Sequence, residues 1–265
     1  MASTMRIILE VCVDSVESAI AAVDGGADRL EVCANLGLGG GTTPSLGLIR
    51  SIHAAVPDIP LMVMIRPRVG DFLYTDLELR VMLEDVIQLK ATGHVSGVVF
   101  GILDSGGRVD VARSKLLAME AHPLEVCFHR AFDMSIDASE SYRAVASIPG
   151  ITRILTSGLG SVAMDSIVTL QNLLHASGSE PIAPSILVGS GVNTNTIRSI
   201  VTLLLPFGLR EVHMSGGAWT DGGMEFRPNG MGMGVGGERD WAIWRTNEEA
   251  VWQVRQIIDL LTPAA

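Results

Sequence analysis

Ile7-Ile8-Leu9-Glu10-Val11-Cys12 is an apolar run that ends with an acid and a thiol. A helical pattern follows from Ser15 to Val23. Then Arg29-Leu30-Glu31-Val32-Cys33 closes on the same four residues as the first run. Strand, helix and strand in so short a space make a βαβ unit, which calls for parallel strands and a crossover helix. Leu-Glu-Val-Cys occurs a third time at Leu124–Cys127, and the three copies hold all three cysteines of the chain. Side chains alternate faces along a strand, so the glutamate and cysteine of each copy share one face. A charge repeated inside buried strands is costly unless that face lines a site.

The alternation continues to the end of the chain. Further strands are expected at Leu61–Arg66, Gly97–Gly101, Leu124–His129, Thr152–Thr156, Ser185–Gly189 and Arg210–Met214. Helices are expected near Leu46–Ala55, Asp76–Ala91, Val111–Ala121, Ala138–Ser147, Val162–His175, Thr194–Leu203 and Asn247–Leu261. Eight strand–helix units in 265 residues fit an α/β fold of the closed (β/α)8 type, a TIM barrel, which takes about 250 residues as one domain. An open doubly wound sheet fits less well, because no Gly-x-Gly-x-x-Gly follows the first strand. No linker divides the chain, so residues 1–265 read as a single domain with a core from about residue 7 to residue 261. One stretch breaks the rhythm. Gly216–Arg245, rich in glycine, methionine and tryptophan, separates the eighth strand from its helix and reads as a long loop, either a lid or disordered.

The formal net charge of −10 argues against a nucleic-acid partner, which needs a basic face. No apolar run reaches the roughly 18 residues of a membrane span. Met1–Cys12 has one arginine and an apolar stretch broken by Glu10, unlike the core of a signal peptide. Three cysteines cannot all pair, so free thiols in a reducing cytoplasm are expected.

Barrel proteins place their chemistry where strands end. Glu10 and Glu31 are expected to face inward, and Arg66, on the face of Met62 and Met64, is the expected partner of Glu31. Glu10, Glu31, Arg66 and His129 are the candidate catalytic residues: carboxylates and an imidazole for proton transfer, or an ion-pair network. His213, ending the eighth strand, lies beside the first strand in a closed barrel and either acts directly or satisfies a glutamate there. Arg66-Pro67-Arg68 offers guanidinium groups on a stiff loop, with Arg68 as a candidate anion ligand. Gly189-Ser190-Gly191 and Ser215-Gly216 follow the last two strands, where barrels bind phosphate through backbone N–H groups. Cys127 reads as packing. Cys12 and Cys33 end adjacent strands about 4.8 Å apart and are the candidate metal ligands for a soft ion such as Cu(I). Alternate layering of inward residues places them at different heights. The only lysines, Lys90 and Lys115, fall in expected helices, which disfavours a Schiff-base aldolase.

Two strings are specific beyond this pattern: Met64-Ile65-Arg66-Pro67-Arg68 with Gly70-Asp71-Phe72-Leu73-Tyr74, and Phe128-His129-Arg130-Ala131-Phe132-Asp133-Met134. With Leu9–Ser18 and Gly25–Asn35 they make the chain resemble the CutC family of copper homeostasis proteins, from Leu9 to about Ser215. The resemblance implies a (β/α)8 barrel, a cytoplasmic homo-oligomer (dimer or tetramer) and Cu(I) bound at Cys12 and Cys33. The alternative is a lyase- or isomerase-like barrel enzyme acting on a small phosphorylated or carboxylated molecule.

Overall fold

The computed structural model describes residues 6–179, 182–228 and 230–262; the first five residues, part of the stretch read for a leader, lie outside it. Eight parallel strands close into a barrel in sequence order: β1 (Ile8–Val13), β2 (Arg29–Val32), β3 (Leu61–Met64), β4 (Gly97–Phe100), β5 (Glu125–Phe128), β6 (Ile151–Thr156), β7 (Ser185–Val188) and β8 (Glu211–Met214). The helices are α1 (Val16–Asp24), α2 (Leu36–Gly39), α3 (Leu46–Ala55), α4 (Asp76–Thr92), α5 (Val111–Ala121), α6 (Ala138–Ala146), α7 (Ile167–Gly178), α8 (Ile197–Leu204) and α9 (Glu248–Leu261). None among the described residues is long and apolar enough to cross a membrane.

The helix starts follow from side-chain caps. Ser15, Ser45, Thr75 and Asn247 each accept a backbone N–H in the first turn of α1, α3, α4 and α9, and Thr75 with Glu78 forms a reciprocal capping box. Two helices start later than their patterns predict. At α8 the Asn193 amide bonds Thr196 Oγ1 and the Asn195 amide bonds Asn193 Oδ1. These local bonds compete with the helical ladder and hold residues 193–196 out of it. At α7 a 3₁₀ turn, Ala163–Ser166, fills the first residues of the expected helix.

Outward strand residues such as Leu9, Val11, Leu30, Val63, Phe100, Phe128, Ile154 and Val212 are fully buried beneath the helices. The barrel interior holds a second, smaller apolar cluster: Cys33, Met62, Met64, Val99, Cys127, Leu155 and Leu187. Glycines make room inside. A Cβ on Gly97 would lie 2.5 Å from Met62 Cε, and one on Gly101 would lie 2.5 Å from His129 Nδ1.

The loop expected between the eighth strand and its helix is instead partly an antiparallel hairpin, β9 (Gly217–Asp221) and β10 (Ala242–Thr246). Trp219 pairs with Trp244 across it, rings 5.4 Å apart and edge-on. Such cross-strand aromatic pairs favour strands over coil. The Thr246 amide donates to Ser18 Oγ on α1 at 3.0 Å, anchoring the hairpin to the barrel. Trp219 rests on α2, where a Cβ on Gly37 would lie 2.6 Å from the indole.

Candidate functional site

Parallel pairing sets the height of each inward side chain. Glu10 lies level with Arg29, and Cys12 with Glu31. Each copy of the repeated tetrapeptide therefore sits at its own height. Glu125, in the third copy, is level with Gly97 at the barrel floor, and Cys127 is buried beside Val99 in the interior cluster rather than at the mouth.

The floor is ionic. Arg29 Nε donates to Glu10 Oε2 at 2.5 Å and its Nη2 to Glu211 Oε2 at 2.5 Å. Arg153 Nε lies 3.3 Å from Glu211, and Arg153 also pairs with Glu125. Ser185 Oγ donates to Glu211 Oε1 at 2.7 Å. Arg29, Arg153 and Glu211 were not among the sequence candidates. Their signal was legible, since each shares inward parity with Glu31, Leu155 or His213 in an otherwise apolar strand.

Above the floor, Glu10 Oε1 is 2.8 Å from His213 Nδ1, and Glu31 Oε2 is 3.4 Å from the same atom. Burial opposes the charge on Glu10, but the hydrogen bond from His213 and the Arg29 charge win and hold its pKa at about 2. Burial and the neighbouring Glu10 carboxylate push Glu31 the other way, to about 7, against the pull of His213. Burial also opposes charge on His213, yet Cys12, Glu10 and Glu31 around it raise its pKa well above the ordinary value. Since Glu10 is ionised, we read the pair as an imidazolium–carboxylate bridge. His213 thus satisfies a glutamate, one of its two expected roles. Glu10, Glu31 and His213 also bring three donor atoms within 4.8 Å of one another, but these atoms are spent on each other and on Arg29.

The expected Glu31–Arg66 pair does not form. Glu31 lies opposite Met62, so Arg66 is two inward steps higher, about 13 Å along the strand. Its Nη1 instead donates to the carbonyls of Gly39 (2.7 Å) and Gly41 (2.9 Å), and its Nη2 to that of Gly70 (3.1 Å). Arg66 thereby ties the loop after β2 to the loop after β3. Arg68 points elsewhere: it bonds Glu78 at 2.5 Å and Asp71 at 3.0 Å, bracing its own loop away from the barrel mouth.

His129 Nδ1 accepts the Ala131 amide at 3.1 Å, which leaves the ring proton on Nε2. Burial, reinforced by the nearby Arg66 charge, lowers its pKa to about 3. His129 is thus a neutral N–H donor near neutral pH. Phe72 lies against both groups, 4.9 Å from the His129 ring and 5.1 Å from the Arg66 guanidinium carbon.

These residues enclose one chamber of about 110 Å³, lined by Cys12, Glu31, Cys33, Met64, Arg66 and His129, with His213 and Phe72 in its wall. Cys33 stands one inward step above the Cys12–Glu31 level, as the layering predicts, and still faces the chamber with Cys12. Both thiols are free. Burial raises both pKa values; His213 opposes this at Cys12, and Glu31 adds to it at Cys33, whose thiol lies 3.6 Å from Glu31 Oε1. A wider cleft of about 550 Å³ adjoins the chamber and shares Arg130 and His213 with it. Ser190, Gly191, Ser215 and Gly216 line this cleft, while Gly189 sits below, where a Cβ would lie 2.6 Å from Leu155. A groove of about 810 Å³ on the outside between α6 and α7 is lined by none of the candidates.

The chain matches the model of the CutC family over residues 7–218. It is 41% identical over 229 residues to a human protein named copper homeostasis protein cutC homolog, covering 86% of this chain and 80% of that one. It is 39% identical over 254 residues to a CutC family protein of Citrobacter koseri, covering 95% and 97%. The crystal structure of a CutC protein from Streptococcus agalactiae superposes with a TM-score of 0.70 at 30% identity, over 78% of this chain and 97% of that one.

Proposed function

The chain belongs to the CutC family, and from that membership we propose that it is a copper homeostasis protein holding one Cu(I) between the thiolates of Cys12 and Cys33. The observation that carries this reading is the donor set. Two unbridged thiols and the thioether residue Met64 line one small chamber beneath the strand ends. Soft sulfur donors select Cu(I) over hard divalent ions. The surroundings suit the exchange of proton for metal. Binding must expel the thiol protons, because the thiolate is the ligand. The imidazolium of His213 beside Cys12 favours the anion. Glu31, with a pKa of about 7 beside Cys33, can stay neutral next to a second thiolate.

Anaerobic titration of the reduced protein with Cu(I) against a competing chelator tests this. One ion per chain should bind to the wild type and be lost in Cys12→Ser/Cys33→Ser. Equal binding in both would discard the proposal. With two thiol protons released, affinity should rise by about a hundredfold per pH unit between about pH 6 and about pH 8. A flat profile would exclude thiolate ligation.

A further inference from the structure

Four arginines are buried among the described residues: Arg29, Arg66, Arg153 and Arg255. Three have carboxylate partners. Arg29 has Glu10 and Glu211, Arg153 has Glu125 and Glu211, and Arg255 has Asp28 and Asp259. Arg66, only 8% exposed, has no carboxylate within ion-pair distance among the described residues. Its charge meets three loop carbonyls and the Phe72 ring. A buried cation without a counter-charge is costly. The Arg66 Nε–H has no hydrogen-bond partner among the described residues, and a second such donor stands in the same chamber. His129 is 4% exposed, and its Nε2–H has no hydrogen-bond partner among the described residues.

We propose that the chamber is a binding site for a small carboxylate, held between the Arg66 guanidinium and the Nε2–H of His129. A guanidinium and a neutral N–H donor against one aromatic ring match the two oxygens of a carboxylate. The volume of about 110 Å³ limits the ligand. It is smaller than the cavity of about 150 Å³ that takes a single benzene ring, which favours a ligand of a few heavy atoms. The opposite wall carries Glu31, with Glu10 behind it. That wall repels a dianion such as phosphate but offers a hydrogen-bond partner to a hydroxyl or carbonyl next to the carboxylate. The ligand class is therefore a 2-hydroxy or 2-oxo acid of two to four carbons. This site is independent of the Cu(I) reading, although the two share a chamber.

The test uses the full chain, reduced and copper-free with a chelator present, so its outcome leaves the Cu(I) reading untouched. Glyoxylate, pyruvate, lactate and 2-oxobutyrate are titrated calorimetrically, with inorganic phosphate as the comparison. One of the acids should bind with one site per chain and more tightly than phosphate. His129→Phe should weaken it by about tenfold or more, through loss of a charge-assisted bond. His129→Gln, which keeps a donor, should weaken it less. Circular dichroism checks that each variant is folded, and Arg66→Lys, keeping the charge but losing the fork, replaces His129→Phe if that variant is not. Failure of every acid to bind below about 10 mM, phosphate binding as tightly, or wild-type affinity in the folded His129 or Arg66 variant would each overturn the proposal.

Discussion

Glu31 shows how much of this site is set by single neighbours. Its unfolded pKa is near the ordinary 4.5, and its folded value is about 7. Between those values the folded chain binds more protons than the unfolded one, so this residue's contribution to stability falls as pH rises and is flat above about 7. Glu31→Gln removes the titrating group while keeping most of the shape. Thermal unfolding at about pH 8 should find the variant more stable than wild type, by on the order of 2 kcal/mol. Near pH 4.5 the two should be alike. A variant that is less stable at both pH values would mean that the charge of Glu31 stabilises the fold. At this scale the sequence was informative about identity and poor about geometry. Glu31, Cys12, Cys33, Arg66, His129 and His213 do line one chamber, with Glu10 behind Glu31 in the floor. Which of them touch is decided by the stagger of neighbouring strands, and no local pattern carries that stagger. The Glu31–Arg66 pairing failed for this reason, and Arg68 because its acids lie in its own loop and on α4.

The elements themselves were easier to read. Helices α3 and α5 begin and end at the residues their patterns predict, because Ser45 and Asp110 cap them and apolar residues repeat at helical spacing. The hairpin β9–β10 was missed because glycines surround it, although Ala242-Ile243-Trp244-Arg245-Thr246 carries β-branched and aromatic residues suited to a strand. The hairpin lies against α2, and Leu36 and Gly40 at that helix line the chamber. Trp219→Ala should therefore loosen the roof of the site. The lost aromatic pair is worth about 1 kcal/mol beyond its burial. Amide exchange at residues 217–221 and 242–246 should accelerate about fivefold or more, while exchange in β1–β8 stays unchanged. Because three of the four tryptophans, at 219, 241 and 244, lie in or beside this hairpin, the emission spectrum should shift as well. Unaltered exchange in the hairpin would show that the indole does not hold it down.

For the molecule as a whole, the barrel is closed at its floor by charge rather than by aliphatic packing. Arg29 bridges Glu10 on β1 and Glu211 on β8, the strands on either side of the closing seam. Arg29→Met leaves Glu10 with only His213 and Glu211 with only Arg153 and Ser185, at a cost of about 3 kcal/mol. For a chain of this size that is a fall in melting temperature on the order of 10 °C. The double variant Arg29→Met/Glu211→Gln should recover part of the loss. If the single variant melts within about 2 °C of wild type, the bridge is not what secures the seam.

The ionic column that climbs from Glu125 through Arg153, Glu211, Arg29 and Glu10 to His213 also bears on how such a chain can change over generations. An interior of valine and leucine can drift one residue at a time, each step nearly neutral. Here most members are paired on both sides, so replacing one leaves its neighbours with one buried partner fewer, and the first of two compensating substitutions passes through a less stable intermediate. The outer helices are free to wander by single steps. The charged column inside the barrel changes most cheaply in matched pairs, and a lineage that loses one member carries that cost until a neighbour changes with it.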